Sequence, residues 1–302
     1  MKFHLSVTLF AGALLSGQNC AEKPSPSIST ENVTPAIQLP AGFNTYWYAG
    51  QAEICTYDVE QERYGEMRQA EQVNVFVTED FSRSKQVKLD YPSSAATDRL
   101  PVLKLNAIRR FHTGIYDYSL MQSVFTPVSG EPTLKATTSV QDWCGHVFMQ
   151  TNLGNETYRL QGYSYFEQEG DQDLTLPRVM LEDELWTRLR LNPDALPSGK
   201  IKLQPSALYV RLRHQSPSVQ MADIQLEKGN LESTLRVVYT DIARSLTIRF
   251  ETNFPHKILG WEENIQGKMV SSGTLKSTRK SAYWAEHDNA HAPLRDSLKL
   301  RF

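Results

Sequence analysis

The sequence predicts a mainly β protein: a large antiparallel sheet, strongly curved or barrel-like, or else two packed sheets, with one amphipathic helix near residues 177–191. Three observations lead there. Apolar residues recur at every second position in many separate stretches, which gives each stretch one apolar and one mostly polar face. Turn-forming residues separate these stretches at short intervals, and short links favour antiparallel neighbours because parallel ones need long crossovers. One stretch alone changes to helical spacing.

In chain order, residues 1–20 read as a signal peptide. Lys2 supplies the positive start, and Phe3, Leu5, Val7, Leu9, Phe10, Ala11, Ala13, Leu14 and Leu15 form a short apolar run followed at once by polar chain. Residues 21–42 read as a flexible tether, rich in Pro, Ser and Thr. Cys20 sits where a bacterial lipoprotein carries its lipidated cysteine, although Gly17, Gln18 and Asn19 before it depart from the usual aliphatic-small-small pattern. The expectation is an exported chain anchored to a membrane by acyl chains such as palmitate on Cys20, or one cleaved near Ala21. No later stretch is long and apolar enough to span a bilayer as a helix.

Residues 43–302 form the predicted β-rich domain. Its clearest strands carry Val73, Val75 and Val77, then Leu208, Val210 and Leu212, then Leu246, Ile248 and Phe250. Noisier alternation occupies residues 46–57, 102–108, 116–126, 133–141, 146–151, 157–167, 234–240, 256–266 and 269–277. Turns are expected at Ser129-Gly130, at 152–155, at Lys228-Gly229-Asn230 and at 271–273. In the helical stretch, Thr175 is placed to cap, Pro177 suits a first turn, and Glu182, Asp183 and Glu184 precede Arg188 and Arg190 in the order the helix dipole favours. Leu181, Leu185 and Leu189 make its stripe, and Asn192-Pro193 ends it. A Pro-bearing link over 193–205 divides the strands into two runs, with the division near 192–200. The tail over 281–302 is expected to dock back on the surface.

Composition narrows the function. The 302 residues include 32 Lys and Arg against 34 Asp and Glu, a net charge of −2, which gives no basic excess for nucleic-acid binding. No phosphate-cradling Gly-rich loop, Gly-x-Ser-x-Gly elbow or Cys-x-x-Cys pair is present. The densest chemical stretch is Asp142-Trp143-Cys144-Gly145-His146. On a strand, Cys144 and His146 share a face about 6.6 Å apart, within reach of one metal ion or of a nucleophile pair, while Asp142 lies about 13 Å from His146. Burial as small hydrophobes is the commoner role for Cys55 and Cys144, although an oxidising compartment permits a disulfide between them. His287 and His291 share a face only if helical, and lack the zinc-protease glutamate. Glu167, Glu169, Asp171 and Asp173 suggest a solvated hairpin end more than a calcium loop or a glycosidase pair. Tyr46, Trp47 and Tyr48 fit a first core strand or a ligand groove.

The stretches Ala52-Glu53-Ile54-Cys55-Thr56-Tyr57, Arg63-Tyr64-Gly65-Glu66 and Val75-Phe76-Val77-Thr78-Glu79-Asp80 resemble an uncharacterised family of bacterial envelope proteins. Residues 138–146 and 181–186 extend the resemblance over nearly the whole chain beyond the export signal. Members are sometimes labelled septum formation inhibitor Maf. True Maf proteins are cytoplasmic nucleotide pyrophosphatases with a Ser-x-Ser-Pro-Arg-Arg motif near the N terminus, and that motif is absent here. The resemblance implies an envelope location and no mechanism or functional residues.

Together these readings predict a periplasmic or outer-membrane-anchored lipoprotein with a non-enzymatic binding or assembly role. Its partners would be the membrane, through the N-terminal lipid, and an apolar ligand or an envelope protein; no cofactor is expected. A hydrolase using Cys144 and His146 is the first alternative, and a nucleotide pyrophosphatase the second.

Overall fold

The computed structural model describes residues 37–95 and 97–301. The signal peptide, Cys20 and most of the expected tether lie outside the described residues. The tether's last residues belong to the folded body: Ile37 is buried and donates its N–H to the Ser129 carbonyl, and Asn192 donates to the Gln38 carbonyl.

The protein is built on one 16-stranded sheet. A short helix α1 (Phe43–Trp47) leads into β1 (Ala52–Arg63), β2 (Glu66–Ser82), the two-residue β3 (Val87–Lys88), β4 (Arg99–Thr113) and β5 (Tyr116–Pro127). Then follow β6 (Lys135–Gln141), β7 (His146–Leu153), β8 (Thr157–Tyr163) and β9 (Gln172–Pro177). After β10 (Met180–Leu181), a turn of 3-10 helix precedes α2 (Leu185–Leu191), and β11 (Gly199–Gln204) precedes α3 (Ala207–Leu212). The rest is β12 (Gln220–Glu227), β13 (Glu232–Tyr239), β14 (Arg244–Glu251), β15 (Ile258–Ile265), β16 (Lys268–Ser281) and the four-residue α4 (Leu294–Ser297).

The spatial order runs β10-β11-β12-β13-β14-β15-β16-β1-β2-β4-β5-β6-β7-β8-β9, with β3 beside β2. Every pairing is antiparallel except β10 with β11. The two runs of strands divided near 192–200 therefore form a single sheet, joined by the long β1–β16 ladder. Its ends, β9 and β10, are separated by only Arg178 and Val179. Three peptide units reach about 10 Å, so the sheet must curl until its two edges nearly meet. The result is an unclosed, barrel-like sheet with an inside and an outside.

The segment from Met180 to Leu212 fills the inside. Leu185, Leu189 and Leu191 of α2 join one apolar cluster with Phe76, Leu103, Leu105, Val237 and Ile248 from the sheet wall. Val210 of α3 closes a second cluster over Ala136, Met149, Tyr158 and Leu160. Outside, Leu298 from the C-terminal tail covers Ala52, Ile54, Val75 and Val77, which leaves β1 buried on both faces. The tail is tied down by Thr56 Oγ1 donating to the Leu298 carbonyl at 2.8 Å and by Arg301 N donating to Glu71 at 3.0 Å.

Five expectations are corrected. Thr175 and Pro177 lie in β9, not at a helix start, and the helix occupies only Leu185–Leu191 of the 177–191 span. It is also buried on all sides, Arg188 and Arg190 included, rather than amphipathic. Leu208, Val210 and Leu212 lie on α3: Ser206 caps it by accepting from Leu208 N, directly after Pro205, so a helix start overrides a six-residue alternation. Tyr46 and Trp47 lie on α1 rather than on a strand, and the first strand begins at Ala52. Residues 271–273 are mid-strand in β16. Gly273 is there because the Trp261 ring packs on its backbone: a Cβ at that position would meet the ring at 2.2 Å.

Candidate functional site

The interior is held by buried ion pairs. Glu182 accepts from Arg244 Nη1 at 2.5 Å and Nη2 at 2.7 Å, and from the Tyr239 hydroxyl. Glu184 accepts from Arg188 Nε at 2.7 Å, and Arg190 forks onto Glu53 of β1, with Nη2 to Oε2 at 2.7 Å. Burial alone would raise the Glu53 carboxyl, but the Arg190 charge and hydrogen bonds hold it down at about 2. Next to it, burial and the Glu53 charge push the Cys55 thiol up to about 12. Cys55 is thus an inert buried thiol that donates to Glu53 at 3.2 Å. Asp183, also buried, is raised to about 6, chiefly by burial; it accepts from Ala207 N and leaves Oδ1 unpartnered.

Between α2, α3 and the sheet lies a cavity of about 60 Å³. Gln61, Gln72, Asn74, Ala107, Arg109 and Trp261 are among its walls. A buried water needs roughly 15 Å³, so the space fits about four waters or one small polar group. Small-molecule pockets usually run to ~300–1,000 Å³. The interior expected to carry an apolar ligand is therefore occupied by α2, α3 and their ion pairs, and its remaining space is lined by amides and an arginine as well as by leucines.

One rim of the sheet gathers several exposed apolar side chains. Antiparallel order brings the hairpins after β1, β4, β6 and β8 to the same end of the sheet. Their tips carry Tyr64, Ile115, Trp143 and Tyr165, exposed by 58%, 85%, 69% and 63%. Tight two-residue loops project the first two: Tyr64 and Gly65 both have positive φ, and Gly114 at φ 61° precedes Ile115. The tips touch one another laterally. The Tyr64 and Tyr118 hydroxyls are 2.7 Å apart, the Tyr116 and Trp143 rings lie 6.3 Å apart, and the Tyr165 side chain rests on the Gly145 backbone. Arg63 lies over the Tyr64 ring at 4.5 Å. The rim is thus a continuous aromatic arc with an arginine at its root.

The residues nominated from sequence fall mostly elsewhere or apart. Asp142, Cys144 and Gly145 form a turn, not a strand face: Asp142 Oδ1 accepts from the N–H of Cys144 at 2.6 Å and of Gly145 at 3.2 Å. Cys144 is exposed rather than buried, and the Asp142 charge raises its thiol, opposite to the activation a nucleophile needs. His146 begins β7 opposite Gln141, and no hydrogen bond joins it to Cys144 among the described residues. Cys55 and Cys144 are both free thiols. His287 and His291 are not helical neighbours; residues 289–291 form a 3-10 turn in which His291 accepts from Asp288 N. The acidic run disperses, Glu169 binding Arg211 and His214 while Asp173 binds Arg159. Trp47 is buried in the core and Tyr48 is exposed. Among the described residues no three His, Cys, Asp or Glu side chains are grouped to hold a metal ion, and no helix is long and apolar enough to cross a membrane.

No protein-family model matches the sequence, and no curated relative does. Among solved structures, the chain is similar to a β-barrel-like protein of the domain of unknown function DUF1849 from Brucella abortus. The two share 8% identity at a TM-score of 0.48, over 76% of this chain and 98% of that one.

Sequence reasoning missed the rim and Arg109. Arg109 was within reach: Leu103, Leu105, Ala107, Arg109 and Phe111 alternate on one face of β4, and an arginine on an apolar face is the signal. The rim needed the register of eight strands, which spacing along the chain does not supply.

Proposed function

We propose that the chain is an exported cell-envelope protein, anchored through a lipid on Cys20, whose role is non-enzymatic: it docks an envelope protein partner on its aromatic rim. The observation that carries this reading is the arc of Tyr64, Ile115, Trp143 and Tyr165. Tyr, Trp and Arg dominate the energetics of protein interfaces, and contiguous exposed apolar surface on a folded protein marks contact sites. The position of the N terminus favours a protein over the protein's own membrane as the occupant. Ile37 sits beside Ser129 and Gly130, at the end of the sheet opposite the rim. Ile37, the first described residue, thus leaves the folded body at the end away from the rim, which keeps the rim open to a partner.

The test is photocrosslinking in intact cells, with a photoreactive residue placed at Ile115 or, as a control, at Val87 on the opposite end. The expected result is a discrete protein adduct from position 115 that position 87 does not give and that Trp143→Ser/Tyr165→Ser removes. Equal adducts from both ends, or none, defeats the docking reading. Intact-mass analysis of the native product reads export and acylation at Cys20 directly; an unprocessed chain starting at Met1 defeats both.

A further inference from the structure

We propose that the interior cavity is a binding site for a carboxylate group, with Arg109 as its anchor. Among the described residues five arginines are buried: Arg109, Arg188, Arg190, Arg211 and Arg244. Four of them pair with a carboxylate, namely Glu184, Glu53, Glu169 and Glu182. Arg109 pairs with none among the described residues. Its hydrogen-bond partners are neutral: Nε donates to Gln72 Oε1 at 2.8 Å, Nη1 donates to Gln61 Oε1 and to Ser271 Oγ, and the guanidinium lies 5.5 Å from the Trp261 ring centroid. Its Nη2 makes no hydrogen bond to the described residues. The carboxylates nearby are committed, since Glu182 and Glu263 both bind Arg244, and Arg213 on the cavity wall pairs with Glu62. Among the described residues Arg109 is the cavity cation without an ion pair, and a buried charge without an opposite charge is costly to keep.

A second, independent observation lies on the next strand. Asn74 is fully buried, lines the same cavity, and has an Nδ2 with no partner. Register fixes its relation to Arg109. Gln72 faces Arg109 across β2 and β4, and Asn74 faces Ala107. Asn74 and Arg109 are thus diagonal neighbours on the inner face, at a separation that side chains reach across. Ala107 in turn faces Gln122 of β5. Its methyl group leaves a gap between two amides and next to a guanidinium. A carboxylate placed in that gap accepts from Arg109 Nη2 and Asn74 Nδ2, the charge-assisted arrangement arginine favours. Trp186, Trp261 and Leu105 are apolar walls of the same cavity. The volume admits the carboxylate end of a ligand and not a long chain.

The group could come from a free small acid or from the end of a peptide, and two probes separate these: acetate and acetyl-Gly-Gly, with acetamide as the neutral isostere. Probes are titrated at constant ionic strength into the full-length mature protein, following the indole N–H resonances of Trp186 and Trp261. The expected result is a saturable shift with one or both carboxylates and none with acetamide. Arg109→Lys keeps the charge and loses the fork, and weakens binding at least tenfold. Ala107→Leu keeps Arg109 and its bonds but fills the gap, and abolishes binding in a protein whose circular dichroism is unchanged. Saturation by acetate alone names a free acid, and by the peptide alone a chain end. No saturable shift with either, equal response to acetamide, or undiminished binding in both variants overturns the site. None of these outcomes bears on the rim.

Discussion

Replacing Glu53 and Arg190 tests whether buried charge pairs are what seat α2 inside the sheet. Both side chains are completely buried, and the pair joins residues 137 apart in sequence. The Glu53 carboxyl is held at about 2 against an ordinary 4.5. That displacement corresponds to about 3 kcal/mol at 1.36 kcal/mol per tenfold change in proton affinity. The sign follows from proton counting: between about pH 4.5 and pH 2 the unfolded chain binds a proton at Glu53 that the native protein refuses. Stability is therefore fully present above pH 4.5 and is lost as pH falls through that window. Arg190→Met at pH 7 leaves a buried carboxylate unpaired and should cost about 3–5 kcal/mol. Glu53→Gln/Arg190→Met removes both charges and should recover most of that loss, and its acid destabilisation between pH 4.5 and 2 should shrink by the same ~3 kcal/mol. Urea unfolding followed by tryptophan fluorescence at pH 7 and pH 3 measures each value. A double variant as unstable as the two single changes summed would refute the argument, because it would mean that the partners contribute independently.

Two further outcomes follow from the same interior and from the rim. Asp183 is raised from 3.8 to about 6, chiefly by burial. Its native form therefore holds a proton longer than the unfolded chain, and stability falls as pH rises from 3.8 to 6. Asp183→Asn should remove that fall and stabilise the protein at pH 7 by about 1–3 kcal/mol, measured by denaturation at pH 4 and pH 7. At the rim, Cys144 should alkylate with iodoacetamide more slowly at pH 7 than an unperturbed thiol, and Asp142→Asn should speed it, because the Asp142 charge raises the thiol. Cys55 should label only on unfolding; peptide mapping by mass spectrometry separates the two sites.

The sheet was legible where a strand has one wet face. Leu246, Ile248 and Phe250 announce themselves by alternation against half-buried neighbours in β14. Val73, Val75 and Val77 alternate in β2 for another reason: they lie outside under the C-terminal tail, while Gln72 and Asn74 face the buried interior. Alternation misled where an element was short. Leu208 and Leu212 are also four apart, so a single turn of helix fits them as well as a strand does, and the Ser206 cap decides it. Residues 271–273 read as a turn because Ser and Gly usually make one. The reason for Gly273 is the ring of Trp261 on the neighbouring strand, and nothing within a few residues reveals it.

The interior was illegible for a related reason. Reading charges as solvent-facing is sound for a chain whose core is purely apolar, and here it fails on the segment that fills the sheet. Glu182, Glu184, Arg188 and Arg190 look like the ends of an exposed helix dipole, yet each turns inward to an opposite charge, two of those charges lying on strands far along the chain. The distinction between a dipole pattern and a set of buried pairs is whether Glu53 and Arg244 stand ready on the wall. That depends on curling sixteen strands until both reach the same enclosed space. The same closure exposes the exception. Once four of the five arginines buried among the described residues are matched to carboxylates, the fifth is conspicuous, and Arg109 with its neutral hydrogen-bond partners Gln61, Gln72 and Ser271 is where the proposed carboxylate is received.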